Sequence, residues 1–229
     1  MTLAVGDRTH LHNIWSRNIF PFSMENSVLF LPLWQEDVQG STLQSYDPYH
    51  HVGTVTGATY GSQGRTFDGL DDHIVIPAAS SLNMGSQGTV MVWIKPTTVA
   101  ANDIFCGRYN TTAGWFFRSA NLAAAKMEFS PEGVTSITGT ADVLVAGAWS
   151  HVTATYDTSG VVRLYHNAIL DKTSAAGQPA ITEVDDLWIA GVQVAALYFP
   201  GVIGEVLLYN RALTAAEILN HYLATKWRY

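Results

Sequence analysis

The sequence predicts an all-β fold of antiparallel strands, a sandwich or a barrel, with a single short helix near its end. Apolar and polar residues alternate in short runs that recur about 8 to 12 residues apart, with turn-forming residues between them. The stretch from Thr214 is the one segment with the spacing of an amphipathic helix. Strands that follow one another through turns, without intervening helices, exclude βαβ units.

The clearest strand is TVMVWIKP, residues 89–96. Successive side chains of a strand point to opposite faces of the sheet. Val90, Val92 and Ile94 therefore share one face, which the pattern predicts to be the buried one.

Two later runs predict a β-hairpin. In WSHVTATYD, residues 149–157, the apolar side chains of Val152, Ala154 and Tyr156 share one side. A turn signal, Thr-Ser-Gly, separates this run from VVRLYHN, residues 161–167. Further strands are predicted at residues 28–34, 51–60, 104–106, 115–118, 126–129, 187–190 and 202–209.

A helix is predicted over residues 214–225. Thr214 and Glu217 have the spacing of a capping box, which satisfies the free backbone N–H groups of a first helical turn. An apolar stripe then follows at Ile218, Leu219, Tyr222 and Leu223.

Composition limits both the architecture and the partners. The chain has 229 residues, of which 48% are hydrophobic and 14% charged, so it can bury a sizeable core in one large domain, predicted at 27–229. Its net charge of −7 and its lack of any Lys/Arg cluster exclude nucleic acid as a partner. Cys106 is the single cysteine, so no intrachain disulfide can form, and we expect a buried, inert thiol.

No targeting or membrane signal is expected. The first 15 residues lack the apolar core of a secretory signal, and no apolar run approaches the ~18 residues needed to span a bilayer. These features predict synthesis in a cytoplasm and no membrane partner.

Residues 1–26 form a separate region, a predicted N-terminal arm. They carry large apolar side chains without a clear period, whereas disordered tails are poor in such groups. Two interpretations remain open: the arm packs on its own domain, or it docks on a neighbouring subunit. We expect the second, because the domain already has a core of its own.

Six phrases follow one another in a recognisable order: DPYHHVGTVTGATY, FDGLDDHIVIP, TVMVWIKP, AWSHVTATYD, RLYHN and GVIGEVLLYNRALTAAEI. Together, across residues 28–223, they resemble the laminin-G-like, concanavalin-A-like jelly-roll family. The resemblance implies two curved antiparallel sheets packed face to face. It also implies a module that binds sugars or proteins, because most members of that family do so.

The last ten residues, NHYLATKWRY, resemble the ends of such domains in bacteriophage structural proteins. This implies a capsid decoration or tail protein at a virion surface, with other subunits and glycans as partners. We expect a symmetric homo-oligomer, with a trimer as the first choice. A stand-alone lectin-like domain is the alternative.

The stretch FDGLDDH, residues 67–73, concentrates three carboxylates and an imidazole. Asp68-Gly69 is a tight-turn signal, and aspartates at turns usually accept hydrogen bonds from nearby backbone N–H groups. The alternative is structural calcium, which needs six to eight oxygen ligands. The resemblance places that ion between an early loop, at Asp47, and the last long strand, where Gly204 occupies the position of an aspartate, which argues for a weak site. Asp47 is the best candidate ligand and Asp68 the next.

No catalytic activity is expected. EVDDLW, residues 183–188, is similar to the catalytic strand of glucan hydrolases that share the jelly roll. Retaining hydrolysis needs two carboxyl groups ~5 Å apart, and although Glu183 and Asp185 share a strand face, the second glutamate is missing. The polysaccharide-cleaving interpretation is therefore the least favoured.

Aromatic side chains in loops are the remaining candidates for ligand binding, because sugar rings stack on aromatic rings. The tryptophans at 93, 115, 149 and 188 are instead predicted to lie on strands and in the core. The loop candidates for contact with a ligand are Tyr46, Tyr49, Tyr109 with Asn110, and Tyr198 with Phe199.

Overall fold

Two antiparallel sheets form the molecule. The structure, a computed structural model, describes residues 23–110, 113–131, 135–182, 185–193 and 197–229. Each sheet has eight strands, and their inner faces share one hydrophobic core. The predicted antiparallel sandwich with a short helix near its end is therefore confirmed.

The first sheet, sheet A, follows the order β14-β13-β12-β7-β16-β5-β4, with β1 added beside β16. Its strands are β1 (Ser27–Pro32), β4 (Thr59–Gly61), β5 (Gly64–Asp68), β7 (Gly88–Pro96), β12 (Ser150–Tyr156), β13 (Val162–His166), β14 (Ile169–Thr173) and β16 (Pro200–Tyr209).

The second sheet, sheet B, follows the order β11-β10-β9-β8-β15-β6-β3-β2. Its strands are β2 (Thr42–Gln44), β3 (Val52–Thr56), β6 (His73–Ile76), β8 (Ile104–Tyr109), β9 (Gly114–Ser119), β10 (Met127–Pro131), β11 (Ile137–Thr138) and β15 (Leu187–Ile189). Short 3-10 turns lie at Glu36–Val38, Ser80–Leu82 and Lys226–Arg228.

The predicted buried faces of β7 and β12 are confirmed. Val90, Val92 and Ile94 lie in the shared core, and so do Val152 and Ala154. The predicted hairpin is also present, since β12 and β13 pair in antiparallel register. Strict alternation was sufficient here because both strands are central and each has one face against the opposite sheet.

Strand β16 organises sheet A. One of its edges pairs with β7 along nearly its whole length. Its other edge is shared, because β5 pairs with residues 200–203 and β1 pairs with residues 205–209. The early strand β1 therefore ends beside Gly204 and Glu205, where the amide of Leu33 donates a 2.9 Å hydrogen bond to the Gly204 carbonyl.

Helix α1, Ala215–Thr225, covers part of the outer face of sheet A. The predicted capping box is present, with the Thr214 hydroxyl accepting from the Glu217 amide. Ile218 packs among Phe30, Met91 and Leu207, which point outward from the sheet. Only part of the predicted apolar stripe faces the sheet, because Leu219 and Leu223 are 44% and 47% exposed.

The predicted arm falls largely outside the described residues, which begin at Ser23. Residues 23–26 contact the domain: Met24 packs against the cluster beneath α1, and its carbonyl accepts from the Ser27 amide at 3.0 Å. Cys106 lies buried in the core, and burial raises the pKa of its thiol. Across the described ranges, no helix has the length and hydropathy needed to cross a bilayer.

Candidate functional site

Three stacked rings lie on sheet B. The imidazole of His73 stacks on the indole of Trp188 with 4.4 Å between ring centroids, and on the Tyr198 ring at 6.0 Å. All three side chains are half-buried. We refer to His73, Trp188 and Tyr198 as the aromatic ledge.

Strand register positions the first two rings. Leu187 and Ile189 are fully buried in the core, so the side chain of Trp188 between them points to the outer face of sheet B. Trp188 pairs with Val75 of β6, and His73 lies two residues before Val75 on the same face. The two rings are thus diagonal neighbours on adjacent strands, which is within reach of aromatic side chains.

The third ring depends on a glycine. A Cβ atom on Gly191 would lie 3.0 Å from a ring carbon of Tyr198, so a larger residue at this position would displace the ring. The chain reaches Gly191 after Ala190, which has a φ of 64°. This left-handed residue directly follows β15 and changes the direction of the chain at Gly191.

The acidic turn lies directly before His73. Asp68 Oδ1 accepts hydrogen bonds from the amides of Leu70, Asp71 and Asp72, the shortest of them 2.8 Å from Leu70. Asp72 Oδ2 accepts in return from the Asp68 amide at 2.9 Å. The turn interpretation of FDGLDDH is therefore confirmed, with Gly69 supplying a φ of 79°.

This turn fixes the ledge and also sets the local charge. His73 Nδ1 lies 2.6 Å from the Asp71 carbonyl oxygen, which holds the imidazole in place over the indole. The hydrogen bond from the Leu70 amide lowers the pKa of Asp68, while burial raises the pKa of Asp72. Asp68 and Asp71 are exposed, so the edge of the ledge is negatively charged at neutral pH.

Comparison with known proteins now gives the family. Residues 67–219 match the laminin-G family described as the concanavalin A-like lectin/glucanases superfamily. The chain belongs to this family. No curated protein matches the chain.

Solved structures of the same architecture are distant in sequence. The binding domain of paraclostridial mosquitocidal protein 1 superposes with a TM-score of 0.70 at 14% identity, over 89% of this chain and 53% of that chain. Domain 4 of an extracellular arabinanase from Geobacillus stearothermophilus, in complex with arabinotriose, gives 0.66 at 16% identity, over 86% and 98%.

A sialidase from Trypanosoma rangeli gives a TM-score of 0.72 at 15% identity, over 96% of this chain and 38% of that chain. This chain therefore spans about half or less of the toxin domain and the sialidase, but nearly all of the arabinanase domain. At such identities the likeness establishes the fold alone.

The laminin-G-like calcium site predicted at Asp47 and Asp68 has few free oxygens here. Asp47 is fully buried, and its two carboxylate oxygens accept from the amides of Phe30 and Tyr49 at 3.1 and 2.9 Å. Ligand oxygens of Asp68, Asp71 and Asp72 lie within 4.8 Å of one another. Calcium takes six to eight oxygens, and Asp68 Oδ1 and Asp72 Oδ2 already accept from the amides of this turn, so these residues fit the ion poorly.

Two of the predicted ligand-contact tyrosines lie near Asp47. The Tyr46 hydroxyl donates to Asp37 at 2.5 Å and its ring meets the edge of Phe30, so it serves the packing of this region. Tyr49 is 52% exposed and stacks on His51 at 5.7 Å. Of the two, Tyr49 alone presents most of its ring to solvent.

The other predicted aromatic contacts with a ligand differ in burial. Phe199 is fully buried and meets Phe105 edge-on at 5.6 Å, so its assignment as a ligand contact was wrong. Tyr109 is half-buried and packs on Phe116. The ring of Tyr198 is the one member of the predicted set that joins the aromatic ledge.

Asn110, directly after β8, and Asp185, shortly before β15, form a hydrogen bond with each other. The Asn110 amide group donates to a carboxylate oxygen of Asp185, and the Asp185 carbonyl accepts from Arg108 Nε at 2.9 Å. Asp185 therefore anchors β8 to the chain before β15. Glu183, its partner in the catalytic alternative, lies outside the described residues.

Sequence reasoning missed His73 and Trp188 as ledge residues. Trp188 was predicted to lie on a strand, which is confirmed, and in the core, which is wrong because its ring is on the outer face. The sequence contained the signal for the position of Trp188. In LWI its two neighbours are aliphatic and are expected on the buried face, so alternation places the tryptophan on the outer face.

Proposed function

We propose that the protein is a non-catalytic binding module whose aromatic ledge holds a sugar ring of a neutral glycan. The observation that carries this proposal is the stack of His73, Trp188 and Tyr198, half-buried on the outer face of sheet B. The apolar C–H face of a pyranose or furanose packs well on such rings, and nearby polar groups then bind its hydroxyls.

The charge beside the ledge selects among glycans. Asp68 and Asp71 are exposed at its edge, and the whole chain carries a net charge of −7. An anionic sugar would be repelled there, whereas the carboxylates and the Asp71 carbonyl can accept hydrogen bonds from hydroxyl groups. Neutral oligosaccharides are therefore the expected ligands, and sialylated or sulfated ones are disfavoured.

Absence of catalysis is part of the proposal. Of the two carboxylates in the catalytic alternative, Asp185 accepts a hydrogen bond from the Asn110 amide group, which supports a structural role for it. Binding domains of the same fold, such as that of the mosquitocidal protein, support a binding role, although the sialidase shows that enzymes also contain this fold. Steady release of reducing ends from a polysaccharide by the pure protein would contradict this part.

Two matched variants test the ledge. Trp188→Ala and Tyr198→Ala remove a stacking ring each, while Leu122→Ala shortens a side chain that is 96% exposed elsewhere and serves as the control. Binding to a panel of neutral oligosaccharides, arabinotriose among them, and to sialyllactose is measured by calorimetry. We expect a neutral ligand whose affinity falls at least tenfold in both ledge variants and is unchanged in the control.

The contrary results are equally specific. Equal affinity of all three variants for the same glycan would move the site away from the ledge. Tight binding of sialyllactose alone would overturn the neutral specificity. Circular dichroism of each variant shows whether a loss of affinity reflects a loss of fold.

A second candidate function is that of a subunit in a larger particle, such as a capsid decoration or tail protein at a virion surface. One observation favours it: β14 is an edge strand of sheet A, and its first residues, Ile169 and Leu170, are 72% and 51% exposed. Exposed apolar edge strands are ready templates for association with another chain.

This candidate predicts a homo-oligomer, with a trimer as our first choice, or binding to capsid or tail subunits. Light scattering of the pure protein measures its mass, and Ile169→Asp with Leu170→Asp should reduce an oligomer to monomers. The control is Leu122→Asp, which changes an exposed leucine away from this edge. A monomer at all concentrations would contradict the self-association.

A further inference from the structure

Helix α1 has an apolar outer face. Leu219, Leu223 and Trp227 follow one another at intervals of four residues, so they form one stripe along the helix and the 3-10 turn after it. Their side chains are 44%, 47% and 73% exposed. We refer to these three residues as the α1 stripe.

The fully buried residues of α1, Ile218, His221 and Thr225, lie on the opposite side of the helix, which faces the sheet. The Trp227 ring is held in place on the outer side, because its Nε1 donates a 2.7 Å hydrogen bond to the Ala224 carbonyl. Burying each of these large side chains would be worth roughly 1.5–3 kcal/mol.

The chain enters the described region beside the same helix. The Tyr209 hydroxyl donates to the Ser23 carbonyl at 3.0 Å. Ser23 also lines a small cavity together with Glu217 and Asn220 of α1. On a helical wheel, Asn220 lies between this entry point and the stripe. The described part of the chain thus begins, at Ser23, within about one helix width of the stripe.

The segment before Ser23 has the chemistry to cover such a stripe. Residues 1–22 contain Ile14, Trp15, Ile19, Phe20 and Phe22 within their last nine positions. The stripe spans nine residues, from 219 to 227, or about 12 Å of helix. Nine extended residues reach about 30 Å, so these side chains can lie along the whole stripe.

We propose that residues 14–22 of the same chain lie over the α1 stripe and bury it. A second copy could present the same segment, but an attachment point beside the helix gives the chain's own segment an effective concentration in the millimolar range. The intramolecular contact therefore wins at ordinary protein concentrations. This assignment chooses between the two interpretations of the arm, in favour of its own domain.

Limited trypsin digestion tests the contact through Arg17, which lies within the proposed segment. Leu223→Asp places a charge on the stripe, and Leu122→Asp places the same charge on a leucine that is 96% exposed elsewhere. We expect cleavage after Arg17, followed by mass spectrometry, to be at least tenfold faster in Leu223→Asp than in the wild type. The control variant should match the wild type.

Equal cleavage rates in all three proteins would overturn the proposal. Both leucines are exposed, so neither variant should fail to fold, and circular dichroism checks this. If Leu223→Asp accelerates cleavage only where the wild type is an oligomer, the covering segment comes from a second copy, which also overturns the proposal.

A pair of introduced cysteines identifies the source of the segment directly. Trp15→Cys combined with Leu223→Cys can form a disulfide, and the native Cys106 does not compete because it is fully buried. After oxidation, we expect a cross-linked monomer on non-reducing gels, with the 15–223 linkage found by peptide mapping. A disulfide-linked dimer, or no linkage at either residue, would contradict the intramolecular contact.

Discussion

The carboxylate of Glu205 lies 3.0 Å from Nε2 of His221, and both side chains are only 1% exposed. Glu205 is on β16 at the outer face of sheet A, and His221 is on the inner face of α1. The guanidinium of Arg228 approaches the same carboxylate at 3.6 Å. A buried carboxylate thus connects the helix to the sheet that it covers.

The pair continues into a second imidazole. His151 Nε2 lies 3.1 Å from His221 Nδ1, and the two rings are stacked with centroids 5.1 Å apart. Burial, and next the nearby His221, hold the pKa of His151 well below its ordinary value, so His151 is neutral. We infer that its Nε2 carries the proton and donates to His221, which leaves the other nitrogen of His221 to face Glu205.

Replacing Glu205 tests this connection. In Glu205→Gln the Arg228 guanidinium loses its counter-charge and His221 loses its carboxylate acceptor, and breaking a buried pair on one side typically costs 3–5 kcal/mol. We expect the free energy of unfolding, measured by urea denaturation, to fall by about 3 kcal/mol. The control is Glu217→Gln on the same helix, whose half-exposed pair with Arg211 should contribute only about 0.5 kcal/mol. A smaller loss in Glu205→Gln than in the control would show that hydrophobic contacts alone hold α1.

Asp103 predicts a variant that stabilises the protein. The side chain is 8% exposed, and burial raises the pKa of Asp103 to about 6. Its charged form is therefore disfavoured in the folded state. The contribution of Asp103 to the free energy of unfolding is therefore most favourable below pH ~4 and is lost as the pH rises towards 6. Asp103→Asn keeps an oxygen for the Ala100 amide, which now donates to the carboxylate at 3.1 Å.

We expect Asp103→Asn to raise the free energy of unfolding by about 1–2 kcal/mol at pH 7 and to leave it unchanged at pH 3.5. Urea denaturation at both pH values measures the difference. A loss of stability at pH 7 would mean that the ionised carboxylate is needed by the loop it anchors.

Glu217 has the opposite pH dependence. Hydrogen bonding to Arg211 lowers the pKa of Glu217 to about 2, with a further contribution from the Thr214 amide. The stability that it contributes is present above its ordinary pKa of about 4.5 and is lost as the pH falls towards 2. We expect Glu217→Gln to melt lower than wild type at pH 7 and at the same temperature at pH 2. An equal deficit at both pH values would show that the carboxylate's charge is not what matters.

The fold could be predicted from the sequence where one face of a strand is buried against the opposite sheet. Alternation in β7 and β12 gave the correct inner residues, and the capping box gave the start of α1. Loop geometry could not be derived in the same way. Phe199 and Tyr198 are adjacent in sequence, yet one is in the core and the other on the ledge, and because both lie between strands no alternation could assign their sides.

Gly204 departs from the family pattern in a way that the sequence showed, but the sequence did not show why a glycine stands there. Other laminin-G-like chains are expected to have an aspartate at this position, and its loss argued for weak calcium binding. In the structure, a Cβ atom on Gly204 would lie 2.4–2.6 Å from the ring of Tyr229. That ring also lies against Trp93 and Trp149, with centroids 4.5 Å away in each case. The glycine therefore makes room for a partly buried aromatic cluster in place of a carboxylate.

Restoring the aspartate tests this exchange of roles. In Gly204→Asp the new side chain collides with Tyr229, and its charge is placed beside Glu205, which lies next to it in the same buried region. We expect a loss of at least 3 kcal/mol in the free energy of unfolding, since a clash and an unpaired buried charge both contribute. Gly204→Ala introduces the clash without the charge and should cost about 1–3 kcal/mol.

The second arm of the test removes the ring. Tyr229→Ala alone should destabilise the protein, because it leaves a cavity beside two tryptophans. In the background of Tyr229→Ala, however, Gly204→Ala should cost much less than it does in the wild type, because the atoms it would strike are gone. A double-mutant cycle on the free energies of unfolding measures this coupling, and a value of 1 kcal/mol or more is expected. Additive effects would mean that the Tyr229 ring moves aside at little cost and that something other than this ring requires a glycine at position 204.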